Sequence, residues 1–114
     1  MGLDCFVQKN RVQTDGKVTA DELWYGRKTN AIHGWMQRQS GIEPVKFNCV
    51  DFYLTEELLV LLENYCAAGN LTATEGFFFG DSLFPDVVRD VHQIVFASRQ
   101  ALSQGEFPYY FSWW

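Results

Sequence analysis

The residue types with the greatest chemical potential lie together at positions 25–35, in the stretch YGRKTNAIHGW. Arg27 and Lys28 are adjacent cations, which suit the binding of a phosphate or carboxylate group. Trp35 carries a ring on which a nucleotide base could stack. This stretch therefore predicts a candidate binding site for a nucleotide-like anion.

A polar pair in the same stretch has two interpretations. Asn30 and His33 are one helical turn apart, so their side chains would act together, either on a ligand or on a neighbouring loop. The second role is structural, because buried polar groups and irregular backbone both need hydrogen-bond partners. Phe77, Phe78 and Phe79, which are bracketed by glycines, form such a loop and could instead line a pocket. We favour the structural role, and both interpretations stay open at this point.

No catalytic or metal-binding set stands out. His33 could act as a general base near neutral pH, but no serine or cysteine is tied to it by local spacing. His92 lies beside an apolar helical stripe and is expected to face solvent. The three cysteines, Cys5, Cys49 and Cys66, are too widely spaced for a disulfide framework or a zinc site. The sequence therefore predicts binding rather than catalysis, with no metal and no cofactor.

Composition limits the class of protein. The chain has 114 residues, 47% of them hydrophobic and 17% aromatic, which predicts one folded domain covering residues 1–114. A net charge of −5 argues against binding to duplex nucleic acid, and it favours a basic protein partner instead. No apolar run is long enough to span a membrane, and the first residues do not resemble a secretion signal. The expected compartment is the cytoplasm.

Hydrophobic periodicity predicts an α+β fold with the element order β-α-β-α-loop-α-β. The predicted strands cover 3–8, 46–54 and 107–113, and the predicted helices cover 27–39, a segment capped by Thr55 and ended by Gly69, and 85–103. Residues 9–20 are expected to form a hairpin-like loop that turns at Asp15-Gly16, and residues 19–22 match a capping box that would start a helical turn. A small, largely antiparallel sheet of about three strands should be covered by three helices on one face.

The last predicted strand carries aromatic rings on both faces. Side chains alternate along a strand, so Phe107, Tyr109, Phe111 and Trp113 share one face, whereas Pro108, Tyr110, Ser112 and Trp114 share the other. One set can fill the core, and the other is left to a partner or to a covering loop such as residues 9–20. Tyr110, Trp113 and Trp114 are therefore candidate partner-binding residues.

The order of these motifs resembles a family of small phage and prophage proteins of uncharacterised function. The shared landmarks are the MGLD start, the YxRKxNxIHxW stretch, Asn48-Cys49, the GFFFG segment at 76–80 and the YYxSW motif at 109–113. The resemblance implies a phage context, and hence the cytoplasm of a host cell. We expect an accessory protein that binds a host protein as inhibitor or modulator, for example in counter-defence, or that binds itself as a homodimer. The alternative is a nucleotide-binding protein that uses the 27–35 region to sequester its ligand or act on it.

Overall fold

The computed structural model describes residues 2–27, 29–71 and 84–114. Its elements are β1 (Asp4–Val12), β2 (Val18–Arg27), α1 (Asn30–Ser40), a 3-10 turn (Pro44–Lys46), β3 (Phe52–Tyr53), α2 (Glu56–Ala67), α3 (Phe84–Ser103) and β4 (Phe107–Trp113). Within the described ranges, the strands form one antiparallel sheet in the order β2-β1-β4-β3. The predicted α+β class is confirmed, with one strand more than expected.

The additional strand is β2, and the polar segment at 9–20 contains the end of β1, the turn and the start of β2. β1 continues to Val12 and pairs with β2 in a long hairpin. The turn lies where Asp15-Gly16 predicts it: Asp15 Oδ1 accepts a hydrogen bond from the backbone N–H of Lys17 at 3.0 Å, and Gly16 has a φ of 83°. The helical turn predicted at 19–22 is wrong. Exposed and half-buried side chains alternate there, which is the two-residue period of a strand with one covered face.

Helix α1 begins three residues later than predicted, because Arg27 is the last residue of β2. Its end is as expected: Gly41 has a φ of 71°, and its N–H donates to the Arg38 carbonyl at 3.3 Å. Asn30–Met36 are all buried, so the first two turns of α1 have no solvent-facing side.

The strand predicted at 46–54 is reduced to the two residues of β3, which pair with β4. Cys49 has a φ of 59°, a left-handed conformation that an extended strand cannot include. The side chain of Asn48 takes over part of the pairing instead. Its Oδ1 accepts from the backbone N–H of Trp114 at 3.0 Å, and its Nδ2 donates to the Trp114 carbonyl at 2.9 Å.

The second and third helices match their predictions closely. Thr55 caps α2, since its Oγ1 accepts the backbone N–H of Leu58 at 3.3 Å. α3 ends at Ser103 as expected and starts one residue earlier than expected. Leu62 of α2, Ile94 of α3 and Tyr110 of β4 are fully buried in one core on the inner side of the sheet. No helix among residues 2–27, 29–71 and 84–114 is long and apolar enough to cross a membrane.

Candidate functional site

The structure does not gather the predicted site residues into one pocket. Of those it describes, Asn30, His33, Trp35 and Tyr110 are buried, Trp114 is half-buried, and Arg27 and Trp113 are exposed. The remaining candidates, Lys28, Phe77, Phe78 and Phe79, lie outside the described residues. The candidates therefore divide into a buried polar chain and an exposed surface.

The buried polar chain joins three elements. Nδ1 of His33 on α1 lies 2.8 Å from the hydroxyl of Tyr110 on β4, and that hydroxyl lies 3.0 Å from Sγ of Cys5 on β1. The Phe47 ring stacks on the Tyr110 ring at 5.9 Å between centroids, and it packs against His33 at 5.3 Å. A phenol has one proton, so Tyr110 can donate to Cys5 only when Nδ1–H of His33 donates to the phenol oxygen.

The three side chains of the buried polar chain, His33, Tyr110 and Cys5, are uncharged at neutral pH. Burial lowers the pKa of His33 to about 4. Burial is also the main reason why the pKa of Cys5 is raised to about 11. It likewise raises the pKa of Tyr110 well above its ordinary value of 10. Neither a thiolate nor an imidazolium is present, and solvent reaches none of the three side chains appreciably. This arrangement is suited to fixing α1 against the sheet and not to proton transfer with a substrate.

His33 ties α1 to the last strand through the Tyr110 hydroxyl. The loop at 77–79, in which the sequence analysis placed a partner for Asn30 and His33, lies outside the described residues. The core position of Tyr110 also removes it from the set of residues that a partner could touch without unfolding the domain.

The exposed surface is the side of the sheet opposite the helices, which we call the outer sheet face. Its side chains are Asp4, Phe6, Gln8 and Asn10 of β1, Val18, Ala20, Glu22, Tyr25 and Arg27 of β2, Tyr53 of β3, and Phe107, Tyr109, Phe111 and Trp113 of β4. Tyr109 is buried within this face, and Phe111 and the four side chains of β1 are half-buried. Cross-strand register arranges them in rows. One row holds Arg27, Asp4 and Trp113, and the next holds Tyr25, Phe6 and Phe111.

Ring contacts connect the rows of the outer sheet face. The Phe6 ring lies 5.1 Å from the Tyr25 ring and 6.3 Å from the Phe111 ring, between centroids. The Tyr53 and Tyr109 rings lie 5.4 Å apart. Aromatic pairs at these separations attract each other, so the rings form a preformed surface.

Hydrogen bonds hold the tyrosine rings of this face in place. The Tyr25 hydroxyl donates to Oδ1 of Asp4 at 2.6 Å, and the Tyr109 hydroxyl donates to Oε1 of Gln8 at 2.8 Å. Nδ2 of Asn10 donates to the Tyr53 hydroxyl at 2.7 Å. Each ring therefore has one principal orientation before any partner arrives.

The described charges on and beside the outer sheet face are mainly negative. Asp4 and Glu22 are part of it, and Arg27 is the cation of the Asp4 row. Asp51 directly precedes β3, the edge strand of the sheet, and after burial its charge is the second cause of the raised pKa of Tyr109. The pKa of Tyr25 is raised first by its hydrogen bond to Asp4.

Sequence reasoning named candidate residues on one strand of this surface and missed β2 as a strand. The alternation of Phe107 to Trp113 correctly placed Trp113 on the face away from Tyr110. Phe6 lies in the strand predicted at 3–8 but was not named as a site residue. Tyr25 was missed because residues 9–22 were interpreted as a loop and a helical turn, so β2 was not recognised. The signal was the two-residue alternation through 4–10 and 18–22, read together with the Asp15-Gly16 turn.

Two cavities, of about 380 and 550 Å³, lie between α2 and α3. Glu63 and His92 line both, and the larger one also borders the exposed Phe96. Neither is lined by Arg27, Asn30, His33 or Trp35. The residues predicted to hold a nucleotide therefore do not open onto these cavities.

Among the described residues, no group of three histidine, cysteine or acidic side chains is placed to hold a metal ion. Comparison with known proteins adds no assignment, since no family model, no curated protein and no solved structure matches the chain.

Proposed function

We propose that this protein acts by binding a partner protein through its outer sheet face. The observation that carries the proposal is where the exposed hydrophobic side chains lie. Nine large ones are exposed among the described residues, and five of these are on the outer sheet face: Val18, Tyr25, Tyr53, Phe107 and Trp113. Aromatic residues are enriched at the centres of protein interfaces, and a contiguous exposed patch of them marks a docking surface.

The surface also has the low flexibility that favours binding. Tyr25 and Tyr109 are held by hydrogen bonds, and Phe6 is held between two other rings. Binding to an ordered surface loses less side-chain entropy than binding to a mobile one. Preorganisation of this kind supports a role in recognition.

The partner is a different protein rather than a second copy. Each chain carries a net charge of −5, and two outer sheet faces brought together would place the carboxylates of Asp4 and Glu22 from both copies in one interface. Like charges brought together at an interface oppose association. A partner of positive charge removes that cost.

The biological setting we propose is that of a phage-type accessory protein in the cytoplasm of its host, where it inhibits or modulates a host protein, for example in counter-defence. The ordered set of motifs that resembles small phage proteins supports this setting. The geometry gives no support to nucleotide binding around Arg27, because Asn30, His33 and Trp35 are sealed in the core.

The test is site-specific photo-crosslinking in the host cell. A photoreactive residue replaces Phe107 on the outer sheet face or, as a matched control, Phe96 on α3, since the two are 63% and 73% exposed. We expect a discrete cross-linked product from position 107 that disappears when Tyr25→Ser is added, and no such product from position 96. Equal labelling from both positions, or labelling that Tyr25→Ser leaves unchanged, would contradict the proposal.

A further inference from the structure

The outer sheet face has one corner where a carboxylate lies among aromatic rings. Asp4 is in register with Trp113 on β4 and with Arg27 on β2, and the Tyr25 hydroxyl holds its Oδ1 at 2.6 Å. Trp113 is 61% exposed and Tyr25 is 47% exposed. We call Asp4, Tyr25 and Trp113 the Asp4 corner.

We propose that the Asp4 corner receives an arginine side chain from a basic, extended segment of the partner. This inference rests on the proposed function, for which it names the chemistry of the partner. A guanidinium group is planar, stacks on aromatic faces and forms paired hydrogen bonds with a carboxylate. The corner offers both features side by side: the Trp113 ring and the oxygens of Asp4.

Tyr25 has a positioning role at this corner. Its hydroxyl donates to Oδ1 of Asp4 and so restrains the carboxylate, whose second oxygen can accept from an incoming donor. Arg27 in the same row restricts the direction from which a cation can approach, because its charge repels a second cation placed directly over it. The incoming guanidinium therefore approaches from the Trp113 side of Asp4.

The length of β4 matches an extended segment. Its seven residues span roughly 24 Å, which is the length of about seven residues of extended chain. A segment laid along β4 would reach both Phe107 and the Asp4 corner.

The charge of the face also favours a basic peptide over single-stranded nucleic acid, both of which can stack on exposed rings. Single-stranded nucleic acid stacks on exposed rings, but it needs a positively charged groove to follow its backbone. Here the described charges on and beside the face are Asp4, Glu22 and Asp51 against Arg27. A polyanion is repelled from this surface, and a basic peptide is attracted to it.

The experiment measures fluorescence anisotropy of a labelled peptide of alternating glycine and arginine, with a lysine version, a glutamate version and an oligo-thymidine strand for comparison. We expect the arginine peptide to bind about two- to fivefold more tightly than the lysine peptide, as stacking of a guanidinium on a tryptophan requires. Asp4→Asn and Trp113→Ser should each weaken it by about the same factor or more. Binding should also weaken at high salt.

Phe96→Ser on the opposite side of the molecule is the matched control and should bind as the wild type does. A circular dichroism melt of each variant separates lost binding from lost folding, and Glu22→Gln provides a second charge variant away from the corner that should have a smaller effect. Equal affinity for arginine and lysine peptides, an unchanged affinity of Asp4→Asn, or tighter binding of oligo-thymidine would overturn the inference. So would a concentration-dependent dimer that Trp113→Ser abolishes.

The two proposals fail separately. If position 107 cross-links to a host protein and the arginine peptide does not bind, the arginine site is wrong and binding through the outer sheet face stands. If the arginine peptide binds at the Asp4 corner and no host protein cross-links at position 107, the corner is a real cation site and the proposed function is wrong.

Discussion

The imidazole of His33 and the hydroxyl of Tyr110 are hydrogen-bonded at 2.8 Å between the first helix and the last strand, and both side chains are almost fully buried. The same hydroxyl reaches Cys5 on the first strand at 3.0 Å. One phenol thus connects three segments that are far apart in the sequence. Removing it should affect the stability of the whole domain.

We expect Tyr110→Phe to lower the free energy of unfolding by about 1–3 kcal/mol, because Cys5 loses its partner on that side and His33 loses the hydroxyl. Tyr53→Phe is the matched control, since it removes the hydroxyl of an exposed tyrosine, which accepts a hydrogen bond from Asn10. Urea denaturation of the two variants provides the measurement. Equal losses of unfolding free energy in both variants would show that the hydrogen bonds of the buried polar chain stabilise the domain no more than an exposed one does.

The buried imidazole also makes stability depend on pH. The pKa of His33 is about 4 in the folded protein and 6.5 in the unfolded chain, so only the unfolded chain binds the proton between those values. Stability is complete above about pH 6.5 and falls as the pH decreases, by about 2 kcal/mol at pH 5. His33→Gln should flatten the profile between pH 7 and pH 5. If the wild type and His33→Gln have parallel profiles in that range, His33 is not the group responsible.

Gly26 should not accept a side chain. A Cβ added there would lie 2.5 Å from Cζ2 of Trp24, whose ring is buried in the core, and 2.9 Å from Cγ2 of Thr29. We expect Gly26→Ala to cost about 1–3 kcal/mol through overpacking. Gly2→Ala is the control, because the nearest atom to its Cβ would be 3.7 Å away. A melting temperature that falls equally for both variants would contradict this account.

Asn48 should hold the last residue of the chain in place. Its amide accepts from the N–H of Trp114 and donates to the Trp114 carbonyl, in the manner of a neighbouring strand. Asn48→Ala should therefore cost about 1–2 kcal/mol and speed the amide hydrogen exchange of Trp114. Asn64→Ala, on the exposed surface of α2, should leave that exchange unchanged. Slow exchange at Trp114 in both variants would assign the restraint to the bond from its indole to the Phe47 carbonyl instead.

Several elements follow from local sequence alone, because the signals that start and end them lie within a few residues. Thr55 caps α2, Asp15-Gly16 forms the hairpin turn, and Gly41 ends α1, each as its residue type predicts. The alternation in β4 likewise assigned opposite faces to Tyr110 and Trp113. Such features need no knowledge of the rest of the chain.

Other features depended on contacts between distant segments. Residues 19–22 carry a helix-start pattern, but pairing with β1 satisfies their backbone as a strand, and sheet hydrogen bonds outweigh a single capping box. At Cys49 the pairing of the preceding Asn48 with Trp114 replaces regular strand bonding, which no local pattern anticipates.

Composition and local periodicity were enough to predict an α+β fold for an acidic, aromatic-rich chain, with a polar pair on its first helix. The burial of His33 against Tyr110 became visible in the folded chain, as did the joining of Phe6, Tyr25 and Phe111 into one surface. Local periodicity tells which side chains share a face of an element. Which of the two faces is buried depends on how strands from both ends of the chain pair and where the helices pack.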